Sequence, residues 1–193
     1  MIDQRFILLG IGINAIGIIY YLIDTIKGKI KPHKVTFLMW SLAAGVAFLA
    51  QISQGIVWES LLTLSIGLSP LAIFIASFLN KKSHWELKEF DFACGALSMM
   101  GLILWQITSV ANIAILFAIL TEGAATLPTI TKSYTHPETE LAWTYLASAA
   151  AGVITLLIIK DWSFANYSFA AFYTIEMLIV YVLAEFKIGK LFT

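Results

Sequence analysis

Glu122 and Glu176 each fall near the middle of a long apolar stretch, and no Lys or Arg lies mid-stretch to pair with either. An ionised carboxylate at the centre of a bilayer costs about 2.5–3.5 kcal/mol on insertion scales. Each acid must therefore face a wet cavity, hydrogen-bond to polar neighbours, or carry its proton. A carboxyl able to take up and release a proton in that setting is what proton coupling requires. The alternative is a protonated acid that ties one helix to the next. Polar residues recur around both acids at helical spacing. Thr126 and Thr129 follow Glu122 at i+4 and i+7, and Tyr173 precedes Glu176 at i−3. Asn166 lies seven residues before Tyr173, and Asn14 has Tyr21 at i+7. Residues so spaced share a helix face. Such faces line one cavity or pair neighbouring helices; the spacing serves either use.

Pro70 sits inside another stretch of the same pattern, and Pro128 inside the stretch that holds Glu122. Each removes an amide donor and frees the carbonyl four residues earlier, Ile66 and Ala124. They are expected to act as hinges, with static kinks as the alternative.

These residues need helices to position them. The chain of 193 residues is 60% hydrophobic and 12% charged, far less charge than a water-soluble surface of this size carries. Seven apolar stretches, at roughly 5–25, 34–54, 58–79, 90–107, 110–131, 139–160 and 164–186, are each long enough to cross a bilayer as a helix. The fold class expected is all-α integral membrane. The break between the fourth and fifth stretches holds Gln106, Thr108, Ser109 and Asn112 and no charge. The N-terminal stretch lacks a small-residue cleavage site and reads as a retained helix. Trp58, Trp85, Trp105 and Trp162 lie at span edges, where an aromatic belt is expected.

Loop charge predicts orientation. Lys27, Lys29, Lys31 and Lys34 mark the first loop; Lys81, Lys82 and Lys88 the third; Lys132 the fifth; Lys187 and Lys190 the tail. The odd loops and the C-terminus should face the cytoplasm, with the N-terminus outside. Zero net charge gives no basic field for nucleic acid. Cys94 stands alone, so no intrachain disulfide is expected. His33, His84 and His136 are scattered in loop-like contexts and fit no metal motif. Neither a cofactor nor an enzymatic constellation of the Ser-His or HExxH kind is expected.

The sequence also repeats itself. DTIKGKIKPHKVTFLMWSLAAGV in the first half is matched by TITKSYTHPETELAWTYLASAAAGV in the second. Pro32 aligns with Pro137, Trp40 lies near Trp143, and AAGV recurs at Ala43–Val46 and Ala150–Val153. The expected organisation is a three-helix repeat over residues 1–82, a linker helix over 83–109, and a second repeat over 110–193. A single linker helix restores the direction of the second repeat, so the two run parallel.

This 3+1+3 layout and the N-outside, C-inside orientation resemble the SWEET and PQ-loop superfamily of small membrane carriers. The segment Thr126–Trp143, TLPTITKSYTHPETELAW, is similar to a PQ-loop box, with Pro128-Thr129 in place of Pro-Gln. The first half lacks the intramembrane proline and has Leu22 and Ile23 in that region. The resemblance implies a secondary transporter moving a sugar, amino acid or related metabolite by alternating access, with or without proton coupling. It also implies that Trp40 and Trp143 pack against the substrate, as an indole face suits a sugar ring or a cation. Interfacial anchoring is the other use of tryptophans so placed. Asn14, Trp40, Trp143, Asn166 and Tyr173 are the expected substrate-binding residues, Glu122 and Glu176 the proton-coupling acids, and Pro70 and Pro128 the hinges. The competing function is a seven-helix receptor that binds a ligand without moving it. Expected partners are the lipid bilayer and a small solute, with the chain a monomer or a homo-oligomer.

Overall fold

The computed structural model describes residues 2–83, 85–107 and 110–191. His84, Thr108, Ser109 and the side chains of Trp105 and Gln106 lie outside the described residues. Seven α-helices account for most of the chain: α1 (Ile7–Ile26), α2 (Lys34–Ser53), α3 (Trp58–Ala76), α4 (Glu89–Ile107), α5 (Ala111–Thr135), α6 (Ala142–Ile158) and α7 (Phe164–Glu185). Their boundaries follow the expected stretches closely, except that α5 runs a full turn further, to Thr135. Pro70 and Pro128 lie inside continuous helices.

Five of the helices, α1, α2, α3, α5 and α7, are long and apolar enough to cross a membrane. The apolar α6 is shorter, at 17 residues. Outward-facing positions on these helices carry Leu8, Leu49, Leu68, Leu120 and Ile175, all exposed. Lipid is the solvent such a surface suits, because only helices satisfy their own backbone within it.

α3 packs on α1 and α2, and α7 packs on α5 and α6. Across the molecule, α2 packs on α5 and α1 on α6, while α4 lies on α5 and α2. One end gathers the first, third and fifth loops. There the Lys31 amide donates to Thr139 O at 3.2 Å, Asn80 Nδ2 donates to Ile26 O at 2.8 Å, and the Ser83 hydroxyl donates to Thr25 O. Gly28 fits that junction with φ of 73°, and a Cβ there would crowd Asn80 and Lys82 at 2.9 Å. The opposite end holds the N-terminal segment, where the Ile2 amide donates to Leu157 O at 3.1 Å, and Gln51, which reaches Ala165 O at 3.2 Å.

The small residues of the two AAGV segments set two close helix contacts. A Cβ on Gly67 of α3 would lie 3.5 Å from the Gly45 amide nitrogen in α2. In α6, a Cβ on Gly152 would collide with Thr174 Oγ1 and sit 3.2 Å from Thr174 Cβ in α7. The first is an ordinary contact that a Cβ would tolerate; at Gly152 glycine is what lets the helices approach so closely. Gly152→Ala is therefore expected to destabilise the fold by about 1–3 kcal/mol through overpacking. Adding Thr174→Ala should return part of that loss in thermal unfolding of the detergent-purified protein; equal losses with and without it would remove the contact as the cause.

Candidate functional site

The mid-helix acids come together. Glu122 of α5 is 0% exposed and Glu176 of α7 is 4% exposed, and the two carboxyls are near enough to interact electrostatically. None of their four oxygens has a hydrogen-bond partner among the described residues. The neighbouring Thr126 hydroxyl is committed elsewhere: it donates to Glu122 O at 2.9 Å and accepts from Trp40 Nε1 at 2.7 Å. Two unpaired carboxyls in an apolar interior are costly, and such groups in membrane helices mark sites of function.

Glu122 opens onto an enclosed cavity of about 30 Å³ between helices of both halves. Trp40, Pro70, Tyr145, Ser148 and Tyr173 also line it, with Ile18 and Ile66 among its apolar walls. That volume holds roughly one or two waters. A solute of several heavy atoms needs the helices to part. Asn14 lies just beyond the wall, where it accepts from Ser148 Oγ at 2.8 Å and donates to Ser65 Oγ at 3.4 Å.

The structure thus brings Trp40, Tyr173, Pro70, Glu122 and, through Ser148, Asn14 around one space. Four expected residues lie elsewhere. Trp143 is 37% exposed on the outer face of α6, edge-on to the equally outward Tyr20 at 5.3 Å. A helix turns about 200° in two residues, so Tyr145 faces inward where Trp143 faces out. Asn166 sits at the start of α7, donating to Ser163 Oγ at 2.8 Å and Asp161 Oδ2 at 3.3 Å. Pro128 is buried in α5 outside the cavity wall, while Glu176 faces a second concavity on the outer side of α5 and α7.

A buried ionic cluster that the sequence did not suggest closes the lysine-rich end. Lys132, in the extra turn of α5, is 1% exposed, and its ammonium donates to Glu140 Oε1 at 2.5 Å. It also donates to Lys31 O and lies 5.0 Å from the centre of the Trp85 ring. Glu140 is held by the 3-10 turn over Pro137–Thr139. Its Oε2 accepts from Tyr21 Oη at 2.9 Å and Tyr145 Oη at 2.6 Å. Both tyrosines line the central cavity, so the cluster is the cavity's cap at this end.

His33 supports the same end. Its Nδ1 accepts from the Thr36 amide at 3.3 Å and so caps α2, and Thr36 Oγ1 donates to Ala125 O at 2.7 Å. Its Nε2 lies 3.2 Å from Asp91 Oδ2, a charge contact not aligned as a hydrogen bond. Burial pushes the His33 imidazole below its ordinary range, against the opposing pull of Asp91. The unfolded chain takes up this proton near pH 6.5, the folded chain only at lower pH. Stability should therefore be full above about pH 6.5 and fall as the pH drops from there through the folded value. His33→Asn retains a capping side chain and should flatten this acid dependence of the melting temperature.

Compared with protein-family models, with curated proteins and with solved structures, the chain matches none.

Proposed function

We propose that this chain is a secondary transporter for a small polar solute, a sugar, amino acid or related metabolite, working by alternating access with proton coupling. The observation that carries this reading is the pair of buried, unpaired carboxyls, one of which opens onto a cavity between the two halves. In a membrane interior such a pair has no structural use that a neutral side chain would not serve at lower cost.

The packing supports the 3+1+3 repeat on which the reading stands. Among the six helices other than α4, exchanging α1 with α5, α2 with α6 and α3 with α7 leaves the pattern of contacts unchanged, while α4 packs chiefly on α5 and α2. The two close contacts at Gly45–Gly67 and Gly152–Thr174 exchange in the same way. α4 then serves as the linker, all seven helices cross, and the lysine-rich end faces the cytoplasm. This is the layout of the SWEET and PQ-loop carriers that the chain resembles. In that scheme Trp40, Tyr173 and Ser148 meet the solute, and Pro70 lets α3 flex beside it. The Lys132–Glu140–Tyr21–Tyr145 cluster closes the cytoplasmic gate. Trp143 and Asn166 have no part in the cavity, and Tyr145 takes the place expected for Trp143.

A thermal-shift panel tests the reading. Sugars, amino acids, polyamines, nucleosides and carboxylates would be offered to detergent-purified protein at pH about 5.5 and about 7.5, spanning the ordinary histidine range. A ligand at about 100 times its Kd should stabilise the protein by about 2.7 kcal/mol. One responsive class, with uptake of that class by vesicles, is the expected result. Binding without uptake would instead favour a receptor.

A further inference from the structure

The second concavity lies on the lipid side of the seam between α5 and α7. It encloses about 440 Å³, within the size range of small-molecule sites. Leu97, Leu120, Leu127, Ile175 and Ile179 form its walls, and each is exposed at the surface of an apolar helix. Glu176 forms its polar floor. We propose that this groove binds a single-chain amphiphilic amine, which reaches Glu176 sideways from the bilayer.

Two independent features specify the occupant. The walls are hydrocarbon, so whatever fills them carries an alkyl chain. Glu176 is 4% exposed, and neither of its carboxyl oxygens has a hydrogen-bond partner among the described residues. Among the described residues no Lys or Arg lines the groove, and the second acid, Glu122, stands behind the first. A fatty acid would thus find no cation among these residues, whereas an amine finds a carboxyl that can give up its proton to it. An ammonium group would give Glu176 the charge-assisted hydrogen bond it lacks. Phe172 lines the groove as well, and Gly123 makes room for it: a Cβ at Gly123 would lie 2.9 Å from Phe172 Cζ. The ring supplies a second surface for a cation. A hydrated solute has no route here, because each visible approach is apolar. The inference concerns lipid-side access to Glu176 and does not depend on transport.

The test uses the full chain in phosphatidylcholine vesicles and a photoreactive probe, N,N-dimethyldodecylamine with a diazirine in mid-chain. A dodecyl methyl ether with the same diazirine is the neutral control. Labelled residues are mapped by peptide mass spectrometry. The amine is expected to label Leu120, Leu127, Ile175 or Ile179. Glu176→Gln should lower that labelling about tenfold, the effect of one hydrogen bond to a charged group. Leu127→Trp, a change on the lipid-facing surface, should lower it comparably by filling the groove. The ether should show no such dependence on Glu176. Equal labelling by amine and ether would overturn the proposal, because the groove would then hold any chain. So would amine labelling that is unchanged in Glu176→Gln or that lies away from the groove. The comparison of the two probes on the unmodified protein stands even if a variant fails to fold.

Discussion

Replacing Glu140 with alanine is expected to cost the fold about 3–5 kcal/mol, the penalty for removing one partner of a buried ion pair. Glu140 accepts three donors at once, Lys132 on one oxygen and Tyr21 and Tyr145 on the other. Without it the Lys132 ammonium keeps the Lys31 carbonyl and the face of the Trp85 ring, and two buried phenols lose their acceptor. Lys132→Met alone should cost less, because Glu140 still has its tyrosines. The double variant Lys132→Met/Glu140→Ala should lose much less than the sum of the two single losses, since no charge is then stranded. Thermal unfolding of detergent-purified protein measures all three. Additive losses would mean that the pair is not coupled and that the cap is held by loop packing alone.

Glu122→Gln is expected to lower proton-driven uptake by about 10²-fold or more, the usual scale for losing a positioned proton-transfer group. The amide keeps the shape of the acid and cannot exchange a proton. Its melting temperature should match or exceed that of the unmodified protein, because an ionisable group without a partner is removed from the interior. This combination separates function from packing. If the acid merely ties α5 to its neighbours, uptake survives. Glu176→Gln should give the same loss of proton dependence, as the two carboxyls share one electrostatic environment. Full proton-driven uptake in both variants would sink proton coupling by this pair.

Much of this arrangement was legible in the residues. Apolar runs of bilayer length located the helices, because a chain in lipid has few ways to satisfy its backbone. The rarity of mid-helix charge picked out Glu122 and Glu176. Helical spacing put Tyr173 near Glu176, and both are buried, but Tyr173 lines the central cavity while Glu176 faces the outer groove. The same spacing could not decide between Trp143 and Tyr145. They lie within one turn of each other in a helix rich in small residues, and hydrophobicity does not distinguish their faces. The apolar stretch of α5 ends at 131, which leaves Lys132 looking like a loop charge in the sequence. One signal pointed inward: Lys132 follows Ala125 and Thr129 at i+7 and i+3, on the buried stripe. Glu140 carried no comparable signal. Its position depends on the turn at Pro137, and its partner Tyr21 lies 119 residues away in the chain.

The buried pairing of Lys132 with Glu140 bears on how the chain is made. Helices leave the ribosome in order, so α5 enters the membrane before α6 has packed to hold Glu140 in place. During that interval Lys132 has no acid to meet and would snorkel to the water at its own end of the helix. There it would count among the positive charges that anchor that end on the side of synthesis. When α6 packs, Glu140 would cancel a charge that had already served in orientation. One lysine would thus serve first as a topogenic signal and afterwards as a lock.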